Sequence, residues 1–451
     1  MKRIAHSIRE HWKFVLSLCC IRATWYFLYQ FVNLFPDSQG YSSFAIFHMF
    51  QNEPGQTNPP VYGIVLDVAE FVLGPFAVYG VVIVQILLSF AALWFLYQSL
   101  SLLGICPFIS KIIVLLYSAS TATNGWDNCI LTESFSLSLG CIILYSVIAM
   151  VKYPKMRYGL TAIIGSFILV FLRPQFLTYP VILLGYFILR AFFCDPSLRK
   201  LLLKWAAATL AGFAVVFLYC WQFQKAYGIF SLTAALPRQT INVCISQGYY
   251  KYYPDASVVD FIDKTLAENQ SEDEFNAIWQ TTWIILDKYG NAKTAEIANK
   301  SISICKMEYL NYLKQTIYEW SGNRLQGYSL ATMYNLEPQW RYKLGVLLTW
   351  IVDPFTVMHA FVLPLMAGIA AIVSWVCHRT IPWIQLGLFA LGSSVVYPVF
   401  ITTNGEFVRT MIGIVPFLYI WGAMLLQWIS NHSFHLSTKK FSICPCNFQH
   451  T

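Results

Sequence analysis

Charge is what this chain has least of. Only 12% of its 451 residues are Asp, Glu, Lys or Arg, against 57% hydrophobic, with a mean hydropathy of +0.54. One soluble core would leave far too much apolar surface in water, so an ordinary soluble protein is excluded. Equally absent are a phosphate-binding glycine loop, a Cys/His set at zinc spacing, a convincing Gly-x-Ser-x-Gly elbow and any internal repeat. Those absences remove nucleotide-hydrolysing transporters, metalloproteases and typical lipases. The N-terminus lacks the short apolar core and small-residue cleavage site of a secretory signal, so the first apolar run is predicted to stay as an anchor. Cysteine is present, but Cys19, Cys20, Cys129, Cys141, Cys220 and Cys377 fall in or beside apolar runs, where the residue serves as small packing. Only Cys244 and Cys305 lie well inside a polar stretch, where one disulfide is feasible.

What is there is a series of apolar runs of roughly 18 to 25 residues, each able to cross a ~30 Å hydrocarbon layer as helix. Ten spans are predicted, near residues 13–34, 76–100, 107–123, 129–151, 157–172, 176–193, 201–222, 355–377, 382–401 and 410–430. The fold class is therefore an all-α membrane protein. Basic residues set its orientation. Lys2, Arg3, Arg9 and Lys13 hold the N-terminus in the cytoplasm, and ten crossings then put Lys152, Lys155, Arg157, Arg199, Lys200, Lys204, Arg379, Lys439 and Lys440 on the same side. Acids show the opposite bias: Asp37, Glu53, Asp67, Glu70, Asp127, Glu133, Asp353 and Glu406 fall at or near the outer face. The net charge of +8 is thus a matter of topology, and no nucleic-acid partner is implied.

The chain divides into an N-terminal transmembrane module (1–221) with a first outer loop at 35–75, a polar segment (222–345), C-terminal transmembrane helices (346–430) and a cytoplasmic tail (431–451). The polar segment carries twelve basic and twelve acidic residues, and its apolar spacing predicts a small, mostly helical domain outside the cytoplasm. In the first loop, Val61 to Leu73 follows a Pro-Pro helix start, and its Asp67 and Glu70 read as solvated helix faces.

Asp37 follows the first span in Phe35-Pro-Asp-Ser-Gln-Gly-Tyr41, where partial burial at the membrane exit would suit a general base. Asp127 and Glu133 flank the start of the fourth span, and an ionisable group within a span is a functional candidate by default. Both are predicted to face the Asp37 site, although a structural pair between Glu133 and Arg22 is an open alternative. Arg173 and Arg409 stand in short outer loops against the positive-inside bias, which points to an anionic partner such as a lipid-linked phosphate.

Taken together, Phe35-Pro-Asp-Ser-Gln-Gly-Tyr41, Asn58-Pro-Pro-Val-Tyr-Gly63, Thr132-Glu-Ser134, Arg173-Pro174 and Glu406-Phe-Val-Arg409 resemble the polytopic GT-C glycosyltransferases. The nearest flavour is the group of the aminoarabinose lipid A transferase and the protein O-mannosyltransferases. The resemblance implies an outer-face site with a catalytic acid in the first outer loop and a polyprenyl-phosphate-linked sugar donor. It matches Asp37 to that acid, Arg173 and Arg409 to the phosphate side, and Tyr41, Asn58, Tyr62 and Glu406 to substrate-binding positions. Where many members have His-Pro, this chain has Asn58-Pro59, and no second acid adjoins Asp37. No metal ligand is assigned and no organic cofactor is required, while dependence on a divalent metal is left open. The implied partners are membrane lipid, the lipid-linked donor and a glycan, lipid or protein acceptor. The implied location is a bacterial plasma (inner) membrane with both termini cytoplasmic. A transporter, flippase or polymerase of lipid-linked glycans would use similar outer arginines and intramembrane acids, and is the alternative.

Overall fold

The computed structural model describes residues 12–51, 58–193, 196–269, 274–322, 338–356, 383–394 and 412–433, with a few isolated positions between 368 and 376. Among these residues it is helical, with no extended pairing beyond a single parallel bridge between Asn33 and Cys129. The first half contains α1 (Trp12–Leu28), α2 (Pro36–Ser42), α3 (Pro60–Leu73), α4 (Ala77–Leu102), α5 (Pro107–Ala119), α6 (Glu133–Lys152), α7 (Met156–Leu172), α8 (Thr178–Phe192) and α9 (Pro196–Tyr227). Pro36, Pro60, Pro107 and Pro196 each open a helix, where the missing N–H would have had no intrahelical partner anyway.

Four stretches among the described residues are long and apolar enough to cross a membrane: Pro60–Leu102, Glu133–Lys152, Pro174–Phe192 and Pro196–Tyr227. Ten full-length crossings are not what is described. The spans predicted at 13–34 and 107–123 are helices of 17 and 13 residues, whereas the run at 157–172 is helical throughout, as Met156–Leu172. The first is shortened because the chain turns after Leu28 so that Asn33 can pair with residues 128–130. The second stops because the Ser120 side chain caps a separate turn, Thr121–Asn124. Most of the predicted span 355–377 lies outside the described residues. The chain is a membrane protein, and side chains such as Phe71 and Phe76, strongly exposed on the protein alone, form a surface suited to lipid.

Helix α6 is the axis of the membrane core. It packs on α4 and α7, and further along the chain on α15 (Trp383–Ser394) and α16 (Val415–Ser433). Ser134, Ser136, Ser138, Gly140 and Ser146 are all buried in it, and small residues let neighbouring helices come close where lipid gives no hydrophobic drive. Ser136 and Ser146 donate to the carbonyls of Thr132 and Ile142 at 2.8 Å each, so burying these two hydroxyls leaves no donor unmet.

A second hydrophobic core lies in the polar segment. Helices α10 (Ala235–Ser246), α11 (Ala256–Glu268), α12 (Glu274–Ile304) and α13 (Lys306–Gly322) gather Ile241, Ile245, Ile262, Ile285 and Ile297 together with Cys244 and Cys305. Both of those cysteines are free thiols, buried in this core. Asp255 caps α11 by accepting from the Ser257 N–H at 3.0 Å, and Gly290, at φ +70°, supplies the kink that bends α12 over the core. The chain then returns through α14 (Trp340–Thr356). Arg341 donates to the carbonyls of Phe27 and Tyr29 at the end of α1, where a cation meets the negative end of the helix. Tyr342, Leu344 and Leu348 pack against Trp25, Leu28 and Tyr29 just below.

Candidate functional site

The loop that follows α1 is stitched to the segment that leads into α6. Asn33 N–H donates to Asn128 O at 2.8 Å, Ile130 N–H donates to Asn33 O at 3.0 Å, and the Asn128 side chain donates to Phe31 O at 3.0 Å. Ser38 completes the seam by donating to Ile130 O at 2.8 Å while accepting from Phe35 N–H at 2.9 Å, which fixes the start of α2. Asp37 is the next residue back along that first turn. It is exposed, and not partly withdrawn from solvent as its place at the membrane exit predicts. The physical reason is that Ser38, not Asp37, faces the seam, and neighbours in a helical turn point about 100° apart.

The other half of the loop folds onto α2. The Asn58 amide nitrogen stands 2.7 Å from where a Cβ on Gly40 would be, a close approach that only glycine permits without displacement. Tyr41 meets Tyr62 edge to face at 5.2 Å, and Tyr62 meets Phe135 of α6 at 5.7 Å. The Tyr62 hydroxyl donates to Gln85 Oε1 at 2.8 Å, and Gln85 in turn donates to the carbonyls of Asp127 and Cys129 at 2.9 and 3.0 Å. The loop, α3, α4 and the entry to α6 are thereby one hydrogen-bonded unit. Asp67 accepts from the Ile46 N–H at 2.8 Å, so it closes the loop from below and is not the solvated helix face predicted for it.

The two acids of the α6 entry have different partners. Asp127 is turned inward. Its Oδ2 takes Arg22 at 2.5 Å and the Tyr26 hydroxyl at 2.7 Å, its Oδ1 takes Ser134 at 2.6 Å, and Arg22 is braced by Ser118 at 3.0 Å. Both members of this pair are about 1% exposed. A base needs an oxygen open to the proton it removes, and Asp127 has both oxygens occupied in a sealed position. With these partners it anchors the α6 entry to α1. Arg22 is therefore the partner of Asp127 and not of Glu133.

Glu133, fully buried, faces Arg173 at the end of α7 with Oε1 2.8 Å from Nη1. The oxygen lies off the N–H direction, so the contact is ionic without being a directed hydrogen bond. Arg173 keeps 13% of its side chain exposed, and a guanidinium has five donors. Glu133 and Tyr41 both lie within electrostatic range of Tyr62, which connects this pair to the first loop. Glu406 and Arg409 lie outside the described residues.

One participant was not among the sequence candidates. Arg238, in the first turns of α10, has Asp37 and then Tyr41 as its electrostatic partners, and its guanidinium lies 5.0 Å from the Trp283 ring centre. Burial pulls its pKa below the ordinary arginine range, and the two partners pull it back. The sequence signal for it was faint: it is one of three arginines in the polar segment. Among the described residues no three His, Cys, Asp or Glu side chains come together as a metal site would require.

No protein-family model matches the chain, and none of the curated proteins compared with it does. Solved structures do. An archaeal oligosaccharyltransferase, AglB from Archaeoglobus fulgidus, in complex with an inhibitory peptide and a dolichol-phosphate, is 12% identical over 96% of this chain and 53% of its own, with a TM-score of 0.44. The oligosaccharyltransferase of the same organism in its apo form is 12% identical over 95% of this chain and 52% of its own, at 0.45. A further structure of that enzyme, tethered by a disulfide to an acceptor peptide containing the NVT sequon, is 12% identical over 96% and 51%, at 0.43. The chain spans about half the length of these proteins.

Proposed function

We propose that this protein is a membrane glycosyltransferase that moves a sugar from a polyprenyl-phosphate-linked donor to a glycan, lipid or protein acceptor on the outer face of a bacterial plasma membrane, with both termini cytoplasmic. The observation that carries the proposal is an exposed carboxylate, Asp37, on a loop that hydrogen bonds and aromatic contacts tie to the entry and first turn of α6, the helix whose Glu133 pairs with Arg173. Rigid support of a reacting group is what positioning catalysis needs.

In the proposed reaction, Asp37 takes the proton of the acceptor hydroxyl as its oxygen attacks the anomeric carbon. The bond from that carbon to the phosphate oxygen breaks, and the phosphate leaves with the electron pair. Arg173, and Arg409 with it, would neutralise the charge that grows on the leaving phosphate. Glu133 then has a supporting part, holding Arg173 in place while its remaining N–H groups stay available. A single displacement inverts the anomeric configuration. No organic cofactor is invoked.

The test is single-turnover transfer from a radiolabelled lipid-phosphate sugar in proteoliposomes. The Asp37→Asn variant should lose about 10² to 10⁴ in rate, the usual worth of a general base, with thermal stability nearly unchanged because the residue is exposed. Wild-type turnover in the variant would remove Asp37 as the base. Movement of the intact carrier across the bilayer without sugar transfer would establish the flippase alternative in place of the enzyme.

A further inference from the structure

We propose that Arg238 is a positioning residue for Asp37, so that the catalytic site is completed by the segment outside the membrane. This rests on the reading of Asp37 as the base.

Three observations place α10 beside the first outer loop. Phe50, near the end of the described part of that loop, packs against Tyr219 of α9 with ring centres 5.3 Å apart and the rings tilted. It packs in one apolar cluster with Phe223, Tyr227 and Ala234, and Ala234 is the residue that precedes α10. Arg238 lies one helical turn further on, and Asp37 and Tyr41 of α2 are the charged and polar groups within its range. The junction between α9 and α10 is thus clamped to the loop by aromatic packing, and the guanidinium is carried to the carboxylate by a helix and not by a free linker.

The guanidinium has a second constraint. It lies against the Trp283 ring of α12, an apolar wall that leaves its planar fork a restricted range of directions. An exposed aspartate on a seven-residue helix samples several rotamers. A fixed cation within electrostatic range of it biases the carboxylate toward the rotamers that face α10. Tyr41, in range of the same guanidinium and packed edge to face on Tyr62, limits the opposite side of the loop. The polar segment is in this sense part of the site and not an appendage to it.

The experiment uses the full chain in proteoliposomes with the radiolabelled lipid-phosphate sugar as donor. Arg238→Gln should lower kcat by on the order of 10- to 100-fold with the donor KM unchanged, the size of effect that follows from a displaced reacting group. Arg238→Lys should recover much of that loss, and in an Asp37→Asn background Arg238→Gln should cause no further loss. A raised donor KM with kcat intact would instead make Arg238 a phosphate contact, and an additive loss on top of Asp37→Asn would make its effect independent of Asp37. Either result overturns the proposal, as do wild-type kinetics. A thermal-unfolding cycle over the same two positions, read in detergent without any turnover, should be non-additive; strict additivity also overturns the pairing. Because that cycle does not depend on transfer, it separates failure of the Arg238–Asp37 link from failure of Asp37 as base. Should Arg238→Gln not fold, Arg238→Lys carries the kinetic test alone, with a partial fall in kcat at constant KM expected and an unaltered kcat contradicting the role.

Discussion

Two acid–arginine pairs stand six residues apart at the entry to α6, and they are built to opposite specifications. Asp127 and Arg22 are each about 1% exposed, with Tyr26 and Ser134 filling the remaining sites on the carboxylate. Glu133 is as deeply buried, but its partner Arg173 keeps 13% of its surface in the open, and the contact at 2.8 Å is not aligned as a hydrogen bond. A pair sealed from solvent on both sides can only hold structure, since any displacement strands a charge in a poor solvent. A pair with spare donors facing outward can hold structure and still bind an anion. Burial of the carboxylate alone does not distinguish a site from a scaffold; whether the arginine opposite it reaches the surface does.

The largest effect should come from breaking the sealed pair. Asp127→Ala leaves Arg22 buried without its counter-ion, and removal of one partner of such a pair typically costs about 3 to 5 kcal/mol. The expected result is a strongly reduced yield of folded protein and a large fall in unfolding temperature in detergent. Full stability in this variant would mean that Arg22 finds another partner, and the contrast between the two pairs would lose its basis. Ser134→Ala removes one donor to Asp127 and should cost less, about 1 to 3 kcal/mol.

A smaller effect, and a different one, is expected at the open pair. Arg173→Lys keeps the charge facing Glu133 but loses the planar fork, so the folded yield should hold while the donor KM rises about tenfold, near the worth of one charge-assisted hydrogen bond. Arg22→Lys supplies the control: it should lower stability and leave the donor KM of the folded fraction alone. If the two arginines respond alike, Arg173 is scaffold and the phosphate must be sought elsewhere.

Much of this organisation was legible in the sequence, and the failures have physical causes. The helix start at Pro60, the apolar run from Pro107 and the helical polar segment with its own apolar spacing could be read directly, because proline placement and hydrophobic period are local signals, whereas the short helix from Pro36 could not. The order Asp37, Asn58, Tyr62, Glu133, Arg173 could also be read, and the loop does bring Asn58 to Gly40 and Tyr62 to Tyr41. Partner choice could not. Asp127 precedes Glu133 by six positions and looks more peripheral, yet the turn Thr121–Asn124 folds the chain back and carries Asp127 inward to Arg22. Depth along a span is set by where the helix begins, which depends on contacts made by other segments. Arg238 was missed for a related reason: charge bias informs short loops, and an arginine in a long polar segment has no expected position against which to stand out.

The smallest effect lies at the far end of the comparison, in ion pairs at the protein surface. On α12, Glu296 is flanked by Lys300 at 2.7 Å and Lys293 at 3.1 Å, with Lys293 also donating to the Tyr253 hydroxyl at 2.8 Å. Hydrogen bonds from Lys300 and then Lys293 hold the Glu296 carboxyl well down, at about 2 against an ordinary 4.5. A carboxyl that is more acidic in the folded state stabilises it when ionised. The contribution is therefore whole above about pH 4.5 and is lost as the pH falls toward 2. All three groups are solvated, so the effect should be small and should shrink as salt is added. Hydrogen exchange of α12 in the detergent-solubilised full chain, followed from pH 5 to pH 2 against Glu296→Gln, isolates it from the other carboxyls that titrate there. The wild type should start more protected than the variant and converge on it at the acid end, with the gap narrowed in high salt. A gap that persists at the acid end would assign the protection to side-chain packing by Glu296 and not to its charge, and exposed pairs of this chain would then resemble the buried ones more than the comparison allows.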